Sequence, residues 1–189
     1  MIKFGIILVL FSSEIRSQIP YFGTCPQVSV QENFDLTKYM GKWYEAYKYF
    51  IIFELFGKCI EADYSVNDNG TVTVRNTEII EFIERKTDIV GIARASGSVE
   101  KAKLIVKFSV FGFKVDAPYW VLETDYDSYA VILSCTDLLL INTRFVWILT
   151  RERAPPDTVI QKAYDVLDKL KISKTFLMRT NQSNCPAPK

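Results

Sequence analysis

Cys25, Cys59, Cys135 and Cys185 are the chain's only thiols, and no histidine stands among its 189 residues. A Ser-His-Asp or Cys-His nucleophile needs an imidazole to take up its proton, so neither engine can be assembled here. Histidine-ligated haem and histidine-rich metal sites are excluded on the same ground. The cysteines are widely spaced and form no Cys-x-x-Cys pair, which leaves zinc and thioredoxin-like chemistry without ligands; no metal site is expected. What four thiols can do is pair into two disulfides, in any of three connectivities. Each would close a long loop and stabilise by about 2–4 kcal/mol. Two asparagines offer a second chemistry, because Asn69-Gly70-Thr71 and Asn181-Gln182-Ser183 are acceptor sequons for N-glycosylation.

Both chemistries belong outside the cell, and the first residues read as the address. Lys3 supplies a positive charge, Phe4 to Phe11 is an unbroken apolar run, and Ser17-Gln18 offers a cleavage point. The run is far short of the ~20 residues that span a bilayer. Residues 1–17 are therefore expected to be a signal peptide and residues 18–189 a single secreted domain with one sizeable core. Without Lys3, Glu14 and Arg16 the net charge falls from +1 to zero, so nucleic acid is not an expected partner.

The elements that must position these residues are strands. Segments 41–48, 58–66, 71–78, 87–95, 102–110, 119–125, 129–136 and 144–151 are short, rich in β-formers and divided by turn signals such as Asn69-Gly70. Thr71-Val72-Thr73-Val74 and Lys103-Leu104-Ile105-Val106-Lys107-Phe108 alternate apolar and polar, one face in and one out. The period changes after Pro155-Pro156-Asp157, where Val159, Ile160, Ala163, Val166, Leu167 and Leu170 follow helical spacing over about 156–170. The predicted fold is all-β: an eight-stranded antiparallel up-and-down barrel with one C-terminal helix packed outside. Eight strands leave room for one small ligand. Consecutive hairpins put the loops near 67–70, 96–101 and 125–128 at one end, and those near 49–57, 79–86, 109–118 and 137–143 at the other.

Three motifs then fall into register. Gly41-Lys42-Trp43-Tyr44-Glu45, Thr124-Asp125-Tyr126-Asp127-Ser128-Tyr129-Ala130 and Phe145-Val146-Trp147-Ile148-Leu149-Thr150-Arg151 converge on one end of that barrel. They resemble the three signature regions of the lipocalin family. Gln31 to Asp35, Ala117-Pro118-Tyr119-Trp120, Ser134-Cys135-Thr136, Pro155 to Val159 and Asn184-Cys185-Pro186 are similar to its apolipoprotein D-like branch. That resemblance covers about Cys25 to Pro186, and Tyr39 to Cys59 also resembles the insect bilin-binding members. It implies a closed floor built on Gly41 and Trp43, with Arg151 stacked across the indole. It implies disulfides Cys25–Cys135 and Cys59–Cys185. It further implies a ligand held by Tyr64, Asn76, Glu78, Phe108, Tyr119, Trp147 and Leu149. Strand parity agrees for two pairs, Asn76 with Glu78 and Trp147 with Leu149, and a carboxyl at Glu78 inside an apolar barrel is expected to be raised in pKa.

The chain departs from that branch at three places. Asp137 stands where an unpaired cysteine would allow a covalent partner. The segment Phe111-Gly112-Phe113-Lys114 lacks the methionine to which antioxidant action is attributed. Asp63 replaces one glycosylated asparagine, leaving Asn69 and Asn181 as the acceptors.

The mouth opposite the floor is unusually apolar for loops. Phe50, Ile52, Phe53 and Phe56 crowd one segment, Ile79 to Ile83 a second, Phe111 and Phe113 a third, and Leu139 a fourth. These residues are expected to contact a membrane, a lipoprotein surface or a second subunit, or else to fold inward as a lid. The expected function is non-covalent carriage of a small hydrophobic ligand, a fatty acid such as arachidonate, a steroid or a similar lipid, without a cofactor. A bilin is the alternative ligand. Some lipocalins isomerise lipids with a cavity thiol, but all four cysteines here match disulfide positions, so no enzymatic activity is expected.

Overall fold

The computed structural model describes residues 20–50, 56–97, 102–110 and 113–186. The expected signal peptide lies outside the described residues. Eight antiparallel strands form the barrel: β2 (Gly41–Tyr49), β3 (Gly57–Val66), β4 (Val72–Ile80), β5 (Arg85–Ala95), β6 (Lys103–Val110), β7 (Phe113–Thr124), β8 (Tyr129–Leu138) and β9 (Ile141–Thr150). Each pairs with the next, and β9 closes the barrel on β2 through Tyr44↔Thr150, Glu45↔Leu149, Tyr47↔Ile148 and Lys48↔Trp147. Two three-residue strands are added to this wall. β1 (Pro20–Phe22) pairs with β9, and β10 (Leu177–Arg179) pairs with β2.

Alternation sorts the side chains into two apolar layers. Inside the barrel, Trp43, Ala62, Tyr64, Val72, Val74, Ala93, Leu104, Val106, Val121, Ala130, Ile132 and Leu149 form one buried cluster. Outside, Val131, Leu133, Val146 and Ile148 pack against Ala163, Val166 and Leu167 of the helix α2 (Asp157–Lys169). Pro156 occupies the N-cap of α2 and Asp157 its first turn, where a negative charge meets the helix dipole.

The floor is built by the segment that enters the barrel. Asp35 caps the four-residue helix α1 (Leu36–Tyr39), its carboxylate accepting from the Thr37 and Lys38 amides. Gly41 then takes φ +86°, a left-handed turn that glycine adopts without cost, and β2 begins. Trp43 is fully buried and donates its indole N–H to the Tyr39 carbonyl at 2.8 Å. Arg151 lies over the Trp43 ring at 3.7 Å and donates to the carbonyls of Lys42, Tyr126 and Lys38 at 2.8, 2.9 and 3.0 Å. One guanidinium thus ties the end of β9 to the end of α1, the start of β2 and the β7–β8 turn.

Several boundaries differ from the sequence reading. The loops expected at 79–86, 109–118 and 137–143 shrink to residues 81–84, 111–112 and 139–140, because the flanking strands run further. Phe113 is accordingly not a loop residue; it is the first residue of β7 and pairs with Val110. Pro118, expected at the end of the loop near 109–118, lies within β7, at a point where β7 pairs with β6 and not yet with β8. Proline is tolerated on such a half-edge. The Asn69-Gly70 turn spans Asn67 to Gly70, closed by the Gly70 amide on the Asn67 carbonyl at 2.9 Å, and is longer than a two-residue hairpin.

Candidate ligand-binding site

Above the floor lies a cavity of about 110 Å³. Tyr64, Asn76, Phe108, Tyr119, Trp147 and Leu149 all border it, so six of the seven expected ligand contacts come together. They arrive from β3, β4, β6, β7 and β9, each on the inward parity of its strand. Glu78 shares that parity with Asn76 but lies outside this cavity. It borders an adjoining recess of about 80 Å³ with Ile60, Thr77, Thr87 and Ile89, and its carboxylate occupies the space that a side chain at Gly57 would fill.

Two phenols, Tyr64 and Tyr119, form the polar end of the cavity, and a third, the fully buried Tyr39, is hydrogen-bonded to Tyr119. The Tyr119 hydroxyl lies 2.7 Å from that of Tyr39 and 2.8 Å from that of Tyr64. Burial pushes the Tyr64 hydroxyl up to about 12 and holds those of Tyr39 and Tyr119 well above the ordinary phenol range; in Tyr119 the two neighbouring phenols add to the rise. All three therefore keep their protons at neutral pH. Two hydrogen bonds consume two of those protons, and the third is left to donate elsewhere.

Two carboxylates also border the cavity, but both are engaged in the wall. Glu45 is 3 % exposed, lies 3.2 Å from the Lys48 ammonium and accepts from the Thr180 hydroxyl at 2.5 Å. Glu61 meets Lys42 at 3.1 Å and Arg153 at 2.7 Å. Asn76 and Ser134 complete the polar lining, while Ile60, Ala62, Val74, Val106, Ala117 and Pro118 are apolar. The arrangement suits an apolar body with one hydrogen-bonding head. Among the described residues no cluster of His, Cys, Asp and Glu could hold a metal ion.

Tyr39, Glu45 and Ser134 are absent from the set that the family resemblance implied. Parity could have found two of them, since Glu45 follows Trp43 and Ser134 follows Ile132 on inward faces. Tyr39 sits on a helix of four residues and carries no periodic signal.

Cys25–Cys135 and Cys59–Cys185 are both bonded. Asn69 and Asn181 are exposed, the first in the β3–β4 turn and the second just after β10. At the mouth, Phe56 is half-exposed and its ring lies 4.8 Å from that of Phe82, while Leu139 is 98 % and Leu140 84 % exposed. Phe50 follows β2 directly and is half-buried. Ile52, Phe53 and Phe111 lie outside the described residues, as does the Phe113 side chain.

A closed eight-stranded barrel with an aromatic floor and an interior cavity is the architecture of small-ligand carriers. A family model described as a lipocalin-like domain matches residues 34–182, and the chain belongs to the lipocalin family. Within it, the chain is 42 % identical to apolipoprotein D of Cavia porcellus over 189 residues, covering 96 % of this chain and 98 % of that one. It is 30 % identical to the bilin-binding protein of Pieris brassicae over 157 residues, 80 % of this chain and 79 % of that one. Insecticyanin from the tobacco hornworm Manduca sexta shares the fold, with a TM-score of 0.79 at 24 % identity over 88 % of this chain and 90 % of that one.

Proposed function

We propose that the protein is a secreted carrier that encloses one small lipid non-covalently, a fatty acid such as arachidonate, a steroid or a similar molecule, in an apolipoprotein D-like transport and stress role. The observation that carries this reading is the phenol chain Tyr39–Tyr119–Tyr64, which leaves one hydroxyl proton unspent in a mainly apolar enclosure. A ligand carbonyl or carboxyl accepting that proton would be oriented with its chain towards Phe108, Trp147 and Leu149. No cofactor, metal or catalytic group takes part. The similarity to apolipoprotein D supports a lipid over a bilin. The cavity of about 110 Å³ supports it too: pockets for drug-sized ligands run to ~300–1,000 Å³, and a tetrapyrrole would demand the greater expansion. Two disulfides support an extracellular setting.

Titrating the protein with arachidonate while following tryptophan fluorescence tests the reading, because Trp147 borders the cavity. Saturable one-to-one quenching is expected, and Tyr119→Phe should weaken binding about tenfold, the worth of one net hydrogen bond. A signal that never saturates, or that Tyr119→Phe leaves untouched, would overturn it.

The exposed turns support a further reading, that the mouth rests on a lipid surface from which the cargo is exchanged. Leu139 takes φ +57°, a left-handed conformation that glycine or asparagine would adopt at less cost. A leucine held there, 98 % exposed beside Leu140, gains from contact with acyl chains what it loses in the turn.

A further inference from the structure

The barrel wall is incomplete between β2 and β3. These strands pair only from Gly41↔Tyr64 to Tyr44↔Glu61 and then separate towards the mouth. The C-terminal tail fills the gap. β10 pairs with β2 through Leu177↔Tyr49, Met178↔Lys48 and Arg179↔Tyr47, and the Thr180 amide donates to the Ala46 carbonyl at 3.0 Å. On the other side the Cys59 amide donates to the Asn181 carbonyl at 2.8 Å. The Gln182 carboxamide bridges both strands, donating to the Ile60 carbonyl at 2.7 Å and to the Glu45 carbonyl at 3.0 Å.

This filler is one chain thick; an outer cleft borders it directly, and the ligand cavity lies behind the β2 and β3 residues to which it bonds. Inside, Glu45, Ile60 and Glu61 border the ligand cavity. Outside, Thr180, Asn181, Gln182 and Ser183 border a cleft of about 450 Å³, together with Ala46, Tyr47, Arg153 and the start of α2. Single contacts cross the partition: Thr180 to Glu45, and Arg153 to both Glu61 and Gln182. The tail has no other covalent anchor than Cys59–Cys185. That bond is also the accessible one, since Cys185 is half-buried whereas Cys25 and Cys135 are both buried.

We propose that residues 177–182 are a lateral gate in the barrel wall, joining the outer cleft to the ligand cavity and opened when a dithiol reduces Cys59–Cys185. The proposal rests on the carrier reading and adds its regulation. A thiolate of the dithiol attacks Sγ of Cys185, forming a mixed disulfide and expelling Cys59 as a thiolate that takes up a proton. The second thiol then displaces Cys185, which is protonated in turn, and the reductant leaves as a disulfide. What remains holding the tail is a short strand pairing, the Thr180–Glu45 and Cys59–Asn181 hydrogen bonds and the contacts of Gln182, a set of non-covalent bonds that can open locally.

Stopped-flow mixing with cis-parinaric acid, a fluorescent fatty acid, reads the gate. Cys59→Ser combined with Cys185→Ser should raise both association and dissociation rates about tenfold while leaving the affinity nearly unchanged, the signature of a lid and not of a contact. Wild type treated with a dithiol should behave the same way. Cys25→Ser combined with Cys135→Ser removes a disulfide that does not anchor the tail and should leave the rates alone. Gln182→Ala keeps both disulfides and should give a smaller acceleration, which covers the case in which the double cysteine variant does not fold. Equal rates in wild type, reduced wild type and Gln182→Ala would overturn the gate. Hydrogen exchange judges it independently of any ligand: on reduction the Thr180 amide should lose protection while β7 and β8 keep theirs. If cis-parinaric acid binds no variant, the carrier reading fails, and unchanged protection at Thr180 would then overturn the gate as well.

Discussion

Tyr39, Tyr64 and Tyr119 give the cavity its chemistry, and their protons have a measurable consequence. A phenol in the unfolded chain titrates near pH 10. Tyr64 in the barrel titrates at about 12, and the other two well above the ordinary value. A pKa raised by folding contributes stability that is complete below about pH 10 and is lost as pH rises towards the folded value. For Tyr64 alone the shift corresponds to roughly 3 kcal/mol. Denaturation midpoints should therefore stay flat with respect to these groups up to about pH 10 and fall above it, with a shallower fall in Tyr119→Phe. Tyrosinate absorbance should rise for the cluster only as the barrel unfolds. Ionisation of all ten tyrosines in the folded protein near pH 10 would contradict the buried chain. At this scale the family resemblance implied Tyr64, Asn76, Phe108 and Trp147, with strand parity agreeing for Asn76 and Trp147, while Glu45 and Ser134 on long strands and Tyr39 on a short helix were missed. Glu78 shows the limit of parity, which states the face and not the height: it points inward yet stands beside a different recess.

At the scale of elements, alternation and turn residues located the eight barrel strands and the helical period located α2. The tail was not legible. Residues 177–182 carry no strand pattern of their own, and their place is decided by the separation of β2 from β3, a property of two other segments. β7 was read from residue 119, short of its start at Phe113, and the missing partner on one side of β7 explains why Pro118 fits within it. The mouth turns were recognised as apolar, and their exposure now makes a prediction. Moving a leucine or phenylalanine side chain from water into an acyl layer is worth about 1.5–3 kcal/mol. Phe82→Ser, Leu139→Ser and Leu140→Ser combined should lower flotation with phosphatidylcholine liposomes by well over tenfold. Equal flotation of the variant and wild type would remove the lipid-surface reading and leave the carrier reading standing.

The whole molecule divides its labour by height. Trp43 and Arg151 close the floor, the phenols mark the polar end of the chamber, Phe108 and Trp147 line its body, and the wall between β2 and β3 is completed by the tail. The chamber is small, about 110 Å³, so a lipid cargo must push its lining apart or enter while the wall is open. The family likeness was visible in three motifs that mainly brace the floor, with only Glu45, Trp147 and Leu149 among them bordering the cavity, which is why the sequence identified the container more readily than the contents. The contents are settled most directly by native mass spectrometry of the protein taken from its natural source, with the released molecule identified. One colourless lipid per chain is expected, with an apolar body and a single carbonyl or carboxyl head. A tetrapyrrole with a visible absorption band, or a ligand with no group able to accept the free phenolic proton, would contradict it.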